Sequence, residues 1–349
     1  MKIAAVASAF PEHVYSQAEV VGTLERAWKG HPSVVSRLDS LLRACGVETR
    51  HFALPLEQYE RIESFGEFND AWIRTALQIG EQAVTKALAR AGLKPKDVDA
   101  ILFTTVTGLA SPSIDARLCN KLGFRTDIKR MPLFGLGCVA GASALSRAAD
   151  FVRGSPEAVV LVLSIELCSL TWQKRDTSLA HVISSGLFGD GAACAVVVGA
   201  KRDARGPRIV DTRSVFYPDT EDVMGWKISE HGFSIVLSPQ VPVVARERLG
   251  PDADAFLKEH GLTRADIGFW VCHPGGPKVL SAAGESLGVG DAELGLAWDS
   301  LRRYGNLSSA SVLLILERTL EERPPSRGSR GLMLAMGPGF CAEYLLLEG

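Results

Sequence analysis

The chain reads as an α/β protein built from two similar halves. Short apolar strands alternate with longer helical patterns along all 349 residues, which is the signature of a sheet covered by helices. Four blocks of sequence then recur in the same order at an offset of about 168 residues. That offset is too long for a solenoid, and it implies two α/β units packed about a pseudo-twofold axis. The halves divide as 1–205 and 206–349.

The repeat can be followed element by element. Gly-Leu-Lys-Pro-Lys-Asp97-Val-Asp-Ala-Ile-Leu-Phe-Thr104 has its partner in Gly-Leu-Thr-Arg-Ala-Asp266-Ile-Gly-Phe-Trp-Val-Cys-His273. Each gives a helix end, a turn carrying an aspartate, and a strand with a polar tip. A helix follows in both copies and closes on Leu122-Gly123 or Leu287-Gly288. Next come Gly137-Cys138-Val-Ala-Gly and Gly305-Asn306-Leu-Ser-Ser-Ala, each opening a small-residue helix, predicted at 138–153 and 308–320. Each half ends in a hairpin, at Gly189-Asp-Gly-Ala and Gly337-Pro338-Gly339. Sites in α/β sheets form beyond the carboxyl ends of the strands, so this symmetry would bring Cys138, His273 and Asn306 to one central place.

Composition narrows the function. A 46% apolar chain of this length can bury a large core. The formal net charge is −2 and the basic residues are scattered, which leaves no nucleic-acid footprint. No apolar run reaches the 18–20 residues or so of a membrane span, and Met1-Lys2 leads into no secretory signal. The seven cysteines are odd in number and show neither CxxC nor metal-ligand spacing. A reduced cytoplasm is the natural reading, with most thiols acting as small core groups.

Three residues carry the candidate chemistry. A thiol at a helix opening, as at Cys138, would feel the positive end of the dipole and free N–H groups, which favour thiolate. An imidazole nearby would lower its pKa further as an ion pair. His273 ends a strand and enters the rigid loop Pro-Gly-Gly-Pro, with Cys272 pointing the other way into the core. Asn306 precedes an apolar helix and could simply cap it. Its pseudo-symmetry with Cys138 raises it to a site candidate.

At these residues the sequence resembles the type III polyketide synthases, the chalcone/stilbene synthase-like family of the thiolase superfamily. The matching motifs are Gly-Cys138-Val-Ala-Gly, Leu-Phe188-Gly-Asp-Gly-Ala, His273-Pro-Gly-Gly, Gly-Asn306-Leu-Ser-Ser-Ala and Gly337-Pro338-Gly339. The resemblance implies a five-layered αβαβα thiolase-like fold and a homodimer. It also implies CoA thioesters as substrates, malonyl-CoA among them, and a Cys138–His273–Asn306 triad with no metal, biotin or redox cofactor. Cys138 would hold the starter acyl group as a thioester. His273 and Asn306 would steady the enolate left when malonyl-CoA loses CO₂.

The same resemblance assigns a pocket. Phe188 matches a gatekeeper aromatic between CoA tunnel and cavity. Glu166, Cys168 and Thr171 match cavity-lining positions, and Ser308 matches a cavity serine that could equally cap its helix. Ile235 stands where plant-type members carry Phe, and Trp226 where they carry a small residue. Those two departures point away from aryl starters and toward fatty acyl starters, with alkylpyrone or alkylresorcinol products. Ser111, in Leu109-Ala-Ser111-Pro112, stands where plant-type members place a Met that reaches across the dimer. The basic CoA-phosphate cluster is thinned to Arg37 and Arg43. The nearest alternative is a β-ketoacyl carrier-protein synthase III-like enzyme performing one condensation. A degradative thiolase would use Cys341 as a second catalytic thiol, and a non-catalytic partner subunit would have lost its nucleophile.

Overall fold

A computed structural model describes residues 1–349. Nine strands form one twisted sheet: β1 (Lys2–Ala9), β4 (Ala100–Thr105), β5 (Lys129–Phe134), β6 (Val159–Leu167), β7 (Asp190–Val198), β8 (Arg208–Phe216), β11 (Ile267–Cys272), β12 (Arg330–Gly337) and β13 (Cys341–Glu348). The short ribbons β2 (His13–Ser16) with β3 (Thr49–Phe52), and β9 (Met224–Ser229) with β10 (Gly232–Leu237), stand apart. The order β11-β12-β13-β8-β1-β7-β6-β4-β5 splits at the β8–β1 junction, where only Lys2 and Arg208 pair. Either side of it the pairing repeats. β4 and β6 are parallel as β11 and β12 are, and β6–β7–β1 run antiparallel as β12–β13–β8 do. β5 alone has no counterpart.

The recurring sequence blocks become recurring turns. The backbone N–H of Lys94 donates to the Asp97 carboxylate and that of Thr263 to Asp266, each at 2.7 Å. Helices Ile114–Leu122 and Pro277–Leu287 both end on a left-handed glycine, Gly123 at φ 68° and Gly288 at φ 69°, where a side chain would be strained.

Helices Ala140–Gly154 and Ser309–Glu322 lie between the two strand groups. Helix Phe65–Ala91 covers one outer face, and helices Val241–Glu259 and Pro277–Leu287 cover the other. The five layers are therefore α, β, α, β, α. Because the central helices have no wet side, every residue from Ser309 to Thr319 is buried. Small residues let them touch: a Cβ placed on Gly141 would lie 2.2 Å from the Ser309 carbonyl oxygen. Both helices begin close to the sequence-based expectation, at 140 and 309, preceded by the turns that carry Cys138 and Asn306.

Gly141→Ala must push that backbone contact apart and should cost about 1–3 kcal/mol, as overpacking does. Gly154→Ala, on the same helix with open space around its Cβ position, should shift stability by less than about 0.5 kcal/mol. Urea midpoints at unchanged slope compare the two.

Candidate functional site

Cys138 sits in a 3₁₀ turn, Gly137–Val139, just ahead of helix Ala140–Gly154. Gly137 holds φ 54°, and a Cβ there would meet the Pro338 ring at 2.6 Å. Gly337 is pressed equally hard from the other side: a Cβ there would lie 2.6 Å from the Leu136 carbonyl oxygen and from the Val139 nitrogen. The Gly337-Pro338-Gly339 loop is thus packed onto the turn that presents the sulfur. The Cys138 thiol donates to the Ser308 hydroxyl at 3.6 Å.

Ser308 does not cap its helix. It adopts φ 48° and ψ −125° with no capping bond, a costly backbone for a residue with a Cβ. Asn306 is not a cap either. Its side chain accepts from the Ser308 N–H at 2.8 Å and donates to the Gly275 carbonyl at 3.2 Å. Its backbone bridges to Leu187 and Gly189. Gly275 in turn donates its N–H to the His273 carbonyl at 3.1 Å. One short relay of backbone and side-chain bonds therefore ties Ser308, Asn306 and the His273 loop together. His273 is buried, and neither ring nitrogen has a hydrogen-bond partner.

A pocket of about 950 Å³, partly open to solvent, opens at Cys138. Its lining includes Ser308, Phe188, Cys168, Thr171 and Pro338, and also Trp226 and Ile235, which face each other across the β9–β10 ribbon. His273, Asn306, Gly337 and Gly339 lie outside this lining. So does Glu166, contrary to its expected place on the cavity wall. Its carboxylate is wholly buried and accepts from Ser309, Thr107, Thr105 and the Val106 N–H, because its strand turns that side chain toward the central helix. Arg37 and Arg43 are exposed and also lie outside the pocket, with Arg43 paired to Asp39 at 2.7 Å. Cys341 turns its thiol to the Pro338 carbonyl at 3.3 Å and is not in the lining. No cluster of three or more His, Cys, Asp or Glu residues is placed to hold a metal, and no helix is long and apolar enough to cross a membrane.

Among the lining residues that escaped the sequence reading are the polar side chains of Arg50, Tyr59, Ser169 and His181. Arg50 is almost fully buried and donates to the Ser185 and Phe188 carbonyls and to Gln17. The available signal was its alternation in Thr49-Arg50-His51-Phe52, where it shares the inward face with Phe52.

The charge state also differs from expectation. Burial pushes the Cys138 thiol up to about 12, Glu166 adds to that, and the hydrogen bonds of Ser308 and Asn306 pull only partly the other way. Burial pushes His273 down to about 3. These directions work against the expected thiolate–imidazolium pair, because desolvation penalises both charged forms. In the free enzyme, alkylation of Cys138 by iodoacetamide should therefore keep rising with pH beyond pH 9. A plateau at pH 6–7 in the rate profile, the mark of a preformed ion pair, would contradict this state.

Comparison with known proteins places the whole chain. Residues 1–202 match the N-terminal domain of the chalcone and stilbene synthases, and residues 208–349 match the C-terminal domain. A 1,3,6,8-tetrahydroxynaphthalene synthase of Streptomyces peucetius subsp. caesius is 47% identical, covering 99% of this chain and 92% of its own length. A phloroglucinol synthase of Pseudomonas fluorescens is 33% identical over 97% of this chain and 96% of its own. The crystal structure of 1,3,6,8-tetrahydroxynaphthalene synthase from Streptomyces coelicolor A3(2), a bacterial type III polyketide synthase, superposes with a TM-score of 0.95 at 33% identity, covering 100% of this chain and 99% of that one. With both halves matched and the thiolase-like layers shared, the chain belongs to the chalcone and stilbene synthase family, the type III polyketide synthases, which transfer acyl groups by Claisen condensation.

Proposed function

We propose that this synthase uses malonyl-CoA both to prime and to extend, and that it closes the chain to a polyhydroxylated naphthalene. The observation that carries this is the 47% identity to a tetrahydroxynaphthalene synthase over nearly the full chain. Other relatives, a phloroglucinol synthase and a 3,5-dihydroxyphenylacetyl-CoA synthase, are also named for hydroxylated rings. Naphthalene's ten carbons correspond to five two-carbon units. The fatty acyl starter expected from Ile235 and Trp226 draws no support from these relatives.

In this reading Cys138 carries the growing chain as a thioester, which stays reactive enough for the next condensation. The thiol is neutral at rest, so its proton leaves only as the sulfur attacks, with His273 as acceptor. Both ring nitrogens of His273 are free for such work. Asn306, clamped by Ser308 and Gly275, offers N–H groups to the thioester oxygen when malonyl-CoA loses CO₂. Asparagine suits this task because it donates without supplying an acidic proton that would quench the carbanion. Pro338 and Phe188 shape the wall beside the sulfur. A homodimer is part of the same proposal: the outer edge of β5 is unpaired, and Phe134 on it is 48% exposed.

Labelled malonyl-CoA given alone should yield a ten-carbon aromatic by mass spectrometry. A product that forms only when a fatty acyl-CoA is added would overturn the priming proposal. Cys138→Ala should abolish chain growth, whereas Asn306→Ala should slow CO₂ release about 10²–10³-fold, the usual loss for one oxyanion donor.

A further inference from the structure

One polar group on the pocket wall is not used by chain growth. Ser169 lies in the 3₁₀ turn Cys168–Thr171 and lines the same pocket as Cys138. Its hydroxyl donates to the Asp190 carboxylate at 2.5 Å, and its backbone N–H donates to the other oxygen at 2.8 Å. Ala53 adds a third donor, its backbone N–H, at 2.7 Å. Asp190 is wholly buried and has no ion-pair partner; the nearby Arg50 directs its two terminal nitrogens at two carbonyls and Gln17, and its Nε has no hydrogen-bond partner. The pocket reaches this carboxylate only through Ser169, since Asp190 is not in the lining.

Tyr59 completes the group. Its hydroxyl is 2.5 Å from the Ser169 oxygen, and its ring is held edge-on to Phe52. A serine hydroxyl has one proton and two lone pairs. The proton goes to Asp190 and one lone pair takes the Tyr59 O–H. One lone pair remains on an atom at the wall of the reaction chamber.

We propose that Ser169, backed by Asp190 and oriented by Tyr59, is a proton relay for ring closure of the bound polyketide chain. The inference rests on the aromatic product proposed above and deepens it. In the step, a methylene between two carbonyls gives its proton to the Ser169 oxygen, and the Ser169 proton passes to Asp190. The C–H electron pair becomes an enolate. The enolate attacks a ketone carbon, forming the ring C–C bond and breaking the C=O π bond. The resulting alkoxide takes a proton from Ser169, which Asp190 refills. The proton is borrowed and returned, so no further reactant is needed. Burial pushes Asp190 up to about 6, against the pull of Ser169 and the backbone donors, which suits a group that must both accept and release a proton near neutral pH.

The test measures ring product per CoA released from malonyl-CoA, for the parent and for Ser169→Ala, Ser169→Thr and Tyr59→Phe. Ser169→Ala should lower that ratio about 10²-fold, the low end of a general acid–base contribution, with lactones of the uncyclised chain in its place. Ser169→Thr, which restores the hydroxyl, should recover most of it, an outcome a purely structural serine does not require. If Ser169→Ala does not fold, Tyr59→Phe decides by the same ratio. Parental ratios in the soluble variants would overturn the relay alone. A parent that makes no ring product would instead overturn the proposed function, and the relay with it.

Discussion

The site depends on one backbone contact, the place where the two central helices meet at Gly141 and Ser309. A hydrogen at Gly141 is all that fits against the Ser309 carbonyl. Cys138 lies just ahead of the first residue and Ser308 just ahead of the second, so the contact sets the separation of sulfur and hydroxyl at 3.6 Å. Everything upstream of that pair is held by similar means. Gly137 and Gly337 let the Pro338 loop close onto the Cys138 turn, and Asn306 is clamped from both ends of its side chain. Packing of this density leaves few alternative arrangements for a reactive group.

Burial is the second organising fact. The same enclosure works against the charged forms of both Cys138 and His273. A neutral thiol is a poor target for stray electrophiles, and the raised pKa of the Cys138 thiol protects it accordingly.

Much of this was legible in the residues because it is local. Asp97 and Asp266 close equivalent turns, Gly123 and Gly288 end equivalent helices, and the shared offset carried Asn306 to the place opposite Cys138. Three things were not legible, each for a physical reason. The dipole and the histidine argued for thiolate, but the depth of burial that outweighs them belongs to the assembled layers. Glu166 sits in a strand buried on both faces, where alternation does not reveal which face meets the pocket. Ser169 and Asp190 lie 21 positions apart and Tyr59 reaches Ser169 from 110 positions away, so the three meet only in the folded chain, and each alone reads as an ordinary polar residue. Trp226 and Ile235 line the pocket, yet their sizes alone do not name a starter.

The β9–β10 ribbon has a consequence of a different kind. It belongs to neither half of the large sheet. It is pinned by Phe233 against Phe65 and by Gln173 reaching its backbone carbonyls. The chamber thus has a floor supplied by the core and a ceiling supplied by this separate ribbon. Substitutions at Trp226 or Ile235 can reshape the ceiling without disturbing the central helices that aim the sulfur. The pocket's ceiling and the turn that carries Cys138 are therefore separable under mutation, so the shape of the chamber can change while the setting of the sulfur stays the same.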